Sequence, residues 1–324
     1  MPHAIRIHEY GGPEVMRWEE VQVGEPGPGE VRIRQTAVGL NYIDIYGRTG
    51  LYAGTLPTGL GGEAAGVVEV VGPGVTDLKP GDRVAYGIAP IGAYADVRLV
   101  PADRLLKLPD AITDTTAAAM MLKGLTVQYL LRQTYEVKRG DTILCHAAAG
   151  GVGLILCQWA KHLGATVIGT VSSDEKAALA RAHGCDHPIV YTREDFAARV
   201  LEITGGQKLP VVYDSIGKST FMKSLDCLAP LGLMVSYGNV SGPVESFNLG
   251  ILASKGSLYV TRPTLNTYAA KRERLVAMAR DLFEVVSTGA VQIKVHQTYP
   301  LKDAARAHRD LEAGKTSGSS VLTV

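Results

Sequence analysis

The chain has 324 residues, 46% of them apolar, and its 33 Lys plus Arg nearly cancel 32 Asp plus Glu to leave a formal charge of +1. That length predicts about two domains, and the apolar share excludes a disordered chain. The balanced charge gives no drive toward nucleic acid or a membrane surface, so neither is expected as a partner.

The N-terminus "MPHAIRIHEYGGPEV" carries no signal-peptide pattern, and no apolar stretch approaches the ~20 residues of a membrane span. The first third then reads as β-rich and turn-punctuated. "EVRIRQTAVG" alternates, "AAGVVEVVGPGV" is β-branched, and "KPGDRVAYG" and "AYADVRLVP" are short strands between Gly and Pro turns. From about Thr115, "TTAAAMMLKGLTVQYLLRQTYEV" has helical spacing and no proline.

A regular alternation follows. "DTILCHA" is a strand, "GVGLILCQWAKHLG" a helix, "ATVIGTVS" a strand, "DEKAALARAHG" a helix, "HPIVY" a strand and "REDFAARVLEITGG" a helix. "LPVVYDSIG" and "GLMVSYGN" add two strands with a helix between them, and the alternation stops near Arg262. Continuous apolar strands between helices predict a parallel, doubly wound α/β sheet. The tail holds a long helix, a strand, a short helix and a last strand, and is expected to return to the first domain. Residues 124–262 are thus expected to form a Rossmann domain inserted in a β-rich one made of 1–123 and 263–324. A cleft at the carboxyl ends of the parallel strands is where a ligand is expected.

Cys145, Cys157, Cys185 and Cys227 have neither zinc-knuckle spacing nor the look of a disulfide ladder. Reduced buried thiols, and with them a cytoplasmic location, are expected.

"HAAAGGVG", His146 to Gly153, joins the first strand of the alternation to its helix. Aligned to G-x-G-x-x-G it offers Ala148, Gly150 and Gly153. The first position makes the tight turn, the second lets the backbone approach a pyrophosphate, and the third lets helix and strand pack closely. The N–H groups at the helix start, Gly151 and Val152 among them, face the phosphates. An NAD site wants an acidic residue at the end of the next strand. Here "IGTVSSDEK" places Gly169 to Ser172 there. A missing carboxylate, with Ser172, Ser173 and Lys176 to receive a 2′-phosphate, predicts NADP. Asp174 is close by, and as a helix N-cap its carboxylate would point at its own helix.

With "GLGGEAAGVVEVVGPGVTDLKPGDRV", Gly59 to Val84, the chain resembles the medium-chain dehydrogenase/reductase superfamily over nearly its whole length. The resemblance implies a GroES-like catalytic domain beside the Rossmann domain. The zinc enzymes of the superfamily carry a histidine before the glutamate of this segment, where this chain has Gly62 before Glu63. It has Asn41 where their first metal-binding cysteine stands, and it lacks their four-cysteine lobe. No metal is therefore expected. "GDTILCHAAAGGVGLILCQWAK" and "LNYIDIYGRTGLY" narrow the resemblance to the quinone oxidoreductase (zeta-crystallin-like) group, and within it to bacterial NADPH-dependent enzymes. Near the C-terminus, "GKTSGSSVL" departs from that pattern, with Ser319 where many relatives have a lysine.

The resemblance implies metal-free transfer of a hydride, or electrons, from NADPH to a quinone, and a homodimer. Asn41 and Tyr46 are expected to border the nicotinamide and substrate, with Tyr46 and Tyr52 as donors or stacking faces. Asp44 and Arg48 in the same segment can instead form an internal i,i+4 pair. Thr126, which with Lys123 opens the joining helix, matches a cofactor-contacting position. Ser215, Tyr237 and Asn239 end strands near the nicotinamide, Tyr191 stands on the adenine side, and Arg262 is a cofactor or substrate contact. The segment of Arg262, "KGSLYVTRPTL", also reads as an edge strand able to pair with a second subunit. His146 reads as a packed histidine. NADPH-dependent enone or alkenal reduction is the enzymatic alternative, and a crystallin or RNA-binding role the non-enzymatic one.

Overall fold

A computed structural model describes residues 1–324. The chain divides into two compact units: Met1–Leu125 with Ala269–Ser287 and Ile293–Val324, and Thr126–Tyr268 with Thr288–Gln292.

The first unit begins with strands β1 (His3–Ile7), β2 (Met16–Glu20) and β3 (Glu30–Leu40), helix α1 (Tyr42–Thr49), and strands β4 (Thr58–Gly59), β5 (Ala64–Val71), β6 (Arg83–Tyr86), β7 (Val97–Pro101) and β8 (Leu106–Lys107). Helix α2 (Asp114–Tyr129) follows, and the division between the units falls inside it. Lys123 and Thr126 therefore lie in its later turns and do not open it. The Ala- and Leu-rich run from Thr115 has no breaker that would delay the helix start. A single π-helical turn, Leu130–Thr134, prolongs α2, and the Tyr213 hydroxyl donates to the Leu130 carbonyl at that turn (3.1 Å).

The second unit alternates β9 (Thr142–Cys145), α3 (Gly151–His162), β10 (Thr166–Val171), α4 (Asp174–Ala182), β11 (His187–Val190), α5 (Phe196–Ile203), β12 (Leu209–Asp214), α6 (Phe221–Asp226), β13 (Leu228–Ser236), α7 (Gly250–Ser254), β14 (Tyr259–Thr261) and α8 (Leu265–Tyr268). Its six strands run parallel in the order β11-β10-β9-β12-β13-β14. The order reverses at β9, the doubly wound arrangement, and places a topological switch point beside the loop after β9. Leu144, Ile168, Val212 and Met234 from four of these strands share a core with Phe196, Phe221 and Leu225.

The chain then returns to the first unit with α9 (Arg272–Ser287), β15 (Val295–Pro300), α10 (Ala304–Glu312) and β16 (Ser319–Thr323). There a sheet runs β15-β16-β3-β5-β6-β8, with β7 also on β3, and a smaller one runs β2-β1-β4. All pairs but β15–β16 are antiparallel, and Ile5, Ile33, Val68, Val84, Tyr86 and Leu105 fill the space they enclose. The result is an α/β fold with a parallel Rossmann domain set into a β-rich, GroES-like one. The four cysteines are buried and unpaired in disulfides. No helix is long and apolar enough to cross a membrane.

Candidate functional site

The phosphate loop sits at the switch point of the second unit. The Ala148 N–H donates to Thr170 O (3.0 Å) and the Gly150 N–H to Ala147 O (2.8 Å), so the chain turns sharply before α3. The left-handed residue of that turn is Ala147, with φ of 54°. Ala148, expected to make the turn, is instead packed out of solvent. Gly150 caps α3 in extended geometry, and Gly151, Val152 and Gly153 supply the first helical amides, which have no partner within the helix. Gly153 has no room for a side chain, since a Cβ there would lie 2.3 Å from Ala147 O and 2.7 Å from Ala148 C.

His146 is a packing residue. Its ring meets Phe196 edge-on, and its two nitrogens contact Thr170 Oγ1 and Ser224 Oγ, each at 2.9 Å. Ser224 donates onward to Asp214 Oδ2 (3.2 Å), so His146 Nε2 carries the proton. Burial pushes its pKa below the ordinary imidazole value. Asp214 also accepts from the Ile216 and Gly217 amides and from Thr220, which fixes the turn carrying Ser215.

At the end of β10, Ser172 is followed by Ser173, and Ser173 is the N-cap of α4, its Oγ accepting from the Lys176 N–H. Asp174 is therefore not the cap. Ser173 already has the extended backbone a cap needs, so Asp174 becomes the first helical residue and its carboxylate turns outward to a two-point pair with Arg193 (2.5 and 2.6 Å). Tyr191, just past β11, is 52% exposed beside this corner, and its N–H donates to Val171 O.

Beyond β13, Tyr237 is bonded to Ser215, and burial pushes its hydroxyl well above the ordinary range. Arg262 donates to the carbonyls of Ser236 (2.8 Å) and Gly238 (3.3 Å), so it holds the end of β13 in place. The Asn239 carbonyl closes the next turn on Gly242 N. Thr126 is buried and hydrogen-bonded to Tyr129, whose ring stacks on Tyr268. The structure thus gathers Ala148, Gly150, Gly151, Val152, Gly153, Ser172, Lys176, Tyr191, Ser215, Tyr237, Asn239 and Arg262 around the carboxyl ends of one parallel sheet.

In the first unit Asn41 is the N-cap position of α1, and its Nδ2 donates to Glu63 Oε2 (2.7 Å). Glu63, wholly buried, also accepts from Lys123 Nζ (2.9 Å) and from the Leu122 N–H (2.7 Å). A Cβ at Gly39 would lie 2.1 Å from the Glu63 carboxylate, so the residue two before Asn41 has to be glycine. Tyr46 is buried on α1. Tyr42 tilts against it at 5.6 Å, Tyr52 meets it edge-on at 5.2 Å, and Tyr52 itself is 43% exposed.

The internal Asp44–Arg48 pair does not form. Arg48 reaches Glu312 of α10 through both terminal nitrogens (2.6 and 2.9 Å) and also contacts His308 Nδ1 (3.1 Å). Asp44 takes the Asn41 N–H (2.9 Å) and the Tyr94 hydroxyl (2.9 Å). Glu312 offers a bidentate geometry that one helical turn of α1 cannot, and α1 needs Asp44 at its own N-terminus. Tyr94, His308 and Glu312 were not visible as site neighbours from sequence. The signal for His308 was present, because it lies on one face of α10 with Ala304, Ala307 and Leu311. Ser319, the departure near the C-terminus, is buried and donates to Ala119 O. No three His, Cys, Asp or Glu side chains are grouped so as to hold a metal ion.

Two family profiles match: "alcohol dehydrogenase GroES-like domain" over residues 27–110 and "zinc-binding dehydrogenase" over 151–280. The chain is 58% identical to a quinone oxidoreductase of Pseudomonas aeruginosa, over 99% of both chains. It is 50% identical to a 2-haloacrylate reductase of a Burkholderia species, again over 99% of each. The crystal structure of Escherichia coli quinone oxidoreductase complexed with NADPH superposes with a TM-score of 0.98 at 51% identity, covering 99% of this chain and 100% of that one. The chain belongs to the quinone oxidoreductase group of the medium-chain dehydrogenase/reductase superfamily.

Proposed function

We propose that the protein reduces quinones with NADPH and without a metal. The observation that carries this reading is the full-length identity to quinone oxidoreductases, one of them solved with NADPH at a TM-score of 0.98. The second unit fits such a cofactor on its own geometry: a helix start of Gly150, Gly151 and Gly153, with Val152 alone carrying a side chain, receives a pyrophosphate. Ser172 and Lys176 take the 2′-phosphate, with the Asp174 charge matched by Arg193, and Tyr191 lies against the adenine. Thr126, Ser215, Tyr237, Asn239 and Arg262 serve the nicotinamide end.

When bound, NADPH supplies the hydride or electrons that reduce the acceptor. The residues of the chain do the rest by positioning. Asn41 and Tyr46 border the nicotinamide, and Tyr46 and Tyr52 offer a hydroxyl and a ring face to a flat acceptor. At two positions where zinc relatives bind metal the chain has Asn41 and Gly62, and the Asn41 amide is committed to Glu63. A quinone draws a hydride more strongly than a simple ketone does, so hydrogen-bond donors suffice to polarise it.

The domains act as 124–262 for the cofactor and 1–123 with 263–324 for catalysis. The edge strand β14 pairs two copies into a homodimer, and the enzyme works in the cytoplasm.

The test is NADPH and NADH oxidation across benzoquinones, naphthoquinones and 2-alkenals, with and without a chelator. The expected result is a kcat/KM highest for quinones with NADPH and unchanged by chelator. Loss of turnover in chelator would overturn the metal-free reading. The similarity to a 2-haloacrylate reductase favours a second reading, reduction of an activated C=C bond. A higher kcat/KM for 2-alkenals than for quinones would put it first.

A further inference from the structure

Where β10 ends and α4 begins, the second unit carries an acid in the middle of its proposed phosphate contacts. Asp174 lies two residues after Ser172 and two before Lys176. Hydrogen bonds from Arg193 hold its carboxyl below the ordinary range, so it is ionised at neutral pH. An unmatched charge there would work against a 2′-phosphate. In water a unit charge weakens the binding of a like-charged dianion about 8 Å away by about 5-fold, and salt screens the effect.

The matching charge comes from a different element. The loop after β11 is tied to the end of β10 by the Tyr191 N–H on Val171 O (3.1 Å) and by Thr192 Oγ1 on Ser172 O (3.3 Å). It is closed on itself by the Arg193 N–H on Val190 O (3.1 Å). Glu194, next in the chain, accepts the Val190 N–H (3.0 Å) and pairs with Arg199 (3.2 Å), so Arg193 is left to Asp174. Its two terminal nitrogens take one carboxylate oxygen each, Nη1 on Oδ2 (2.6 Å) and Nη2 on Oδ1 (2.5 Å). The other acid of this turn, Glu175, accepts from the Ser173 hydroxyl at the N-cap.

We infer that Arg193 is a specificity-determining positioning residue that acts through Asp174, its two-point pair matching and orienting a carboxylate that would otherwise repel the 2′-phosphate of the dinucleotide. The inference rests on the proposed reading that Ser172 and Lys176 take that phosphate. It adds a residue of a neighbouring loop that sets the choice of NADPH without being a ligand of the phosphate.

The experiment is equilibrium binding of two probes to the whole protein by calorimetry at low salt and pH 7.5. They are 2′,5′-ADP and 5′-AMP, which differ only in the 2′-phosphate. Wild type is compared with Arg193→Ala, Asp174→Asn, the double variant and Lys255→Ala. Lys255 pairs with Asp226 just before β13, at the other end of the sheet, and controls for the loss of one cation from the unit. The Asp174–Arg193 pair is more than half exposed on both sides and contributes little to stability, so the variants keep the fold.

Wild type is expected to bind 2′,5′-ADP about 30- to 100-fold tighter than 5′-AMP, two charge-assisted hydrogen bonds' worth. Arg193→Ala lowers that ratio about 3- to 10-fold at low salt, and the deficit shrinks in high salt. The double variant returns to within about 2-fold of wild type, Asp174→Asn alone is no lower than wild type, and Lys255→Ala keeps the ratio. The 5′-AMP affinity stays the same throughout, which separates positioning from general damage. An Arg193→Ala ratio equal to wild type overturns the inference. So does a double variant as poor as Arg193→Ala, which would make Arg193 a direct ligand of the phosphate. A wild type that binds the two probes equally overturns the 2′-phosphate reading itself.

Discussion

Ala147 and Gly153 share the phosphate loop, and their backbones predict opposite responses to the same pair of residue types. Ala147 holds φ at 54°, where a Cβ is unfavourable. Ala147→Gly relieves that strain but adds freedom to the unfolded chain, so the net change is expected between zero and about 1 kcal/mol of stabilisation. Gly153→Ala instead drives a Cβ to 2.3 Å from the Ala147 carbonyl oxygen. It is expected to cost about 2–4 kcal/mol, with the loop forced out of shape. Urea midpoints of the two variants check both, and a Gly153→Ala protein as stable as wild type would refute the packing argument. At Lys176 the expectation concerns the ligand. Lys176→Ala should weaken NADPH binding about 10-fold or more and leave NADH unchanged, because only the former carries a phosphate for the ammonium to meet. Equal weakening of both would remove Lys176 from the 2′-phosphate site.

Between helices α1 and α10 the buried chain from Arg48 to Asp44 makes stability depend on pH in two opposing ways. Burial and the Arg48 charge lower the His308 pKa from 6.5 to about 3. Over that window the unfolded chain binds the proton and the folded one does not, so this contribution is complete above about pH 6.5 and is lost toward pH 3. Burial raises the Asp44 carboxyl from 3.8 to about 7. Its contribution is complete below about pH 4 and is lost as pH rises to 7. Between pH 4 and 6.5 the two slopes oppose each other in the wild type. His308→Gln leaves the Asp44 slope, so its stability should fall as pH rises, while Asp44→Asn should gain stability over the same range. Each slope is at most about 1.4 kcal/mol per pH unit, read from urea midpoints at pH 4.5, 5.5 and 6.5. Profiles of both variants parallel to wild type would show that neither group titrates as described. Sequence made α10 legible as a short helix but not α1, and the internal Asp44–Arg48 pair it offered as an alternative does not form. An i,i+4 Asp44–Arg48 pair is a local pattern, whereas Glu312 lies 264 residues from Arg48 and no local spacing reports it.

Across the whole molecule, periodicity carried most of the fold. The strand–helix alternation after Asp141 and the β-branched runs before it are each local, and each appears in the structure in its own unit. Less legible were places where one side chain chooses between neighbours close in sequence, as Ser173 takes the cap of α4 that Asp174 was expected to hold. The proposed homodimer rests on the sheet edge. Strand β14 is paired only to β13, so its outer side has backbone groups with no neighbouring strand, and Tyr259 on it is 60% exposed. Edges of this kind are shielded by charge, by Pro or bulges, by being very short, or by a covering element, and the proposed dimer covers this one with a second copy. β14 itself, Tyr259–Thr261, has no charged residue. Sedimentation at micromolar concentration is therefore expected to show a dimer of about twice the 34.4 kDa chain. Tyr259→Lys places a charge on each copy of the edge, opposite its own image if the contact is two-fold, and should shift the equilibrium toward monomer with the fold retained. A monomeric wild type, or a Tyr259→Lys dimer as tight as the parent, would mean that this edge is not the contact.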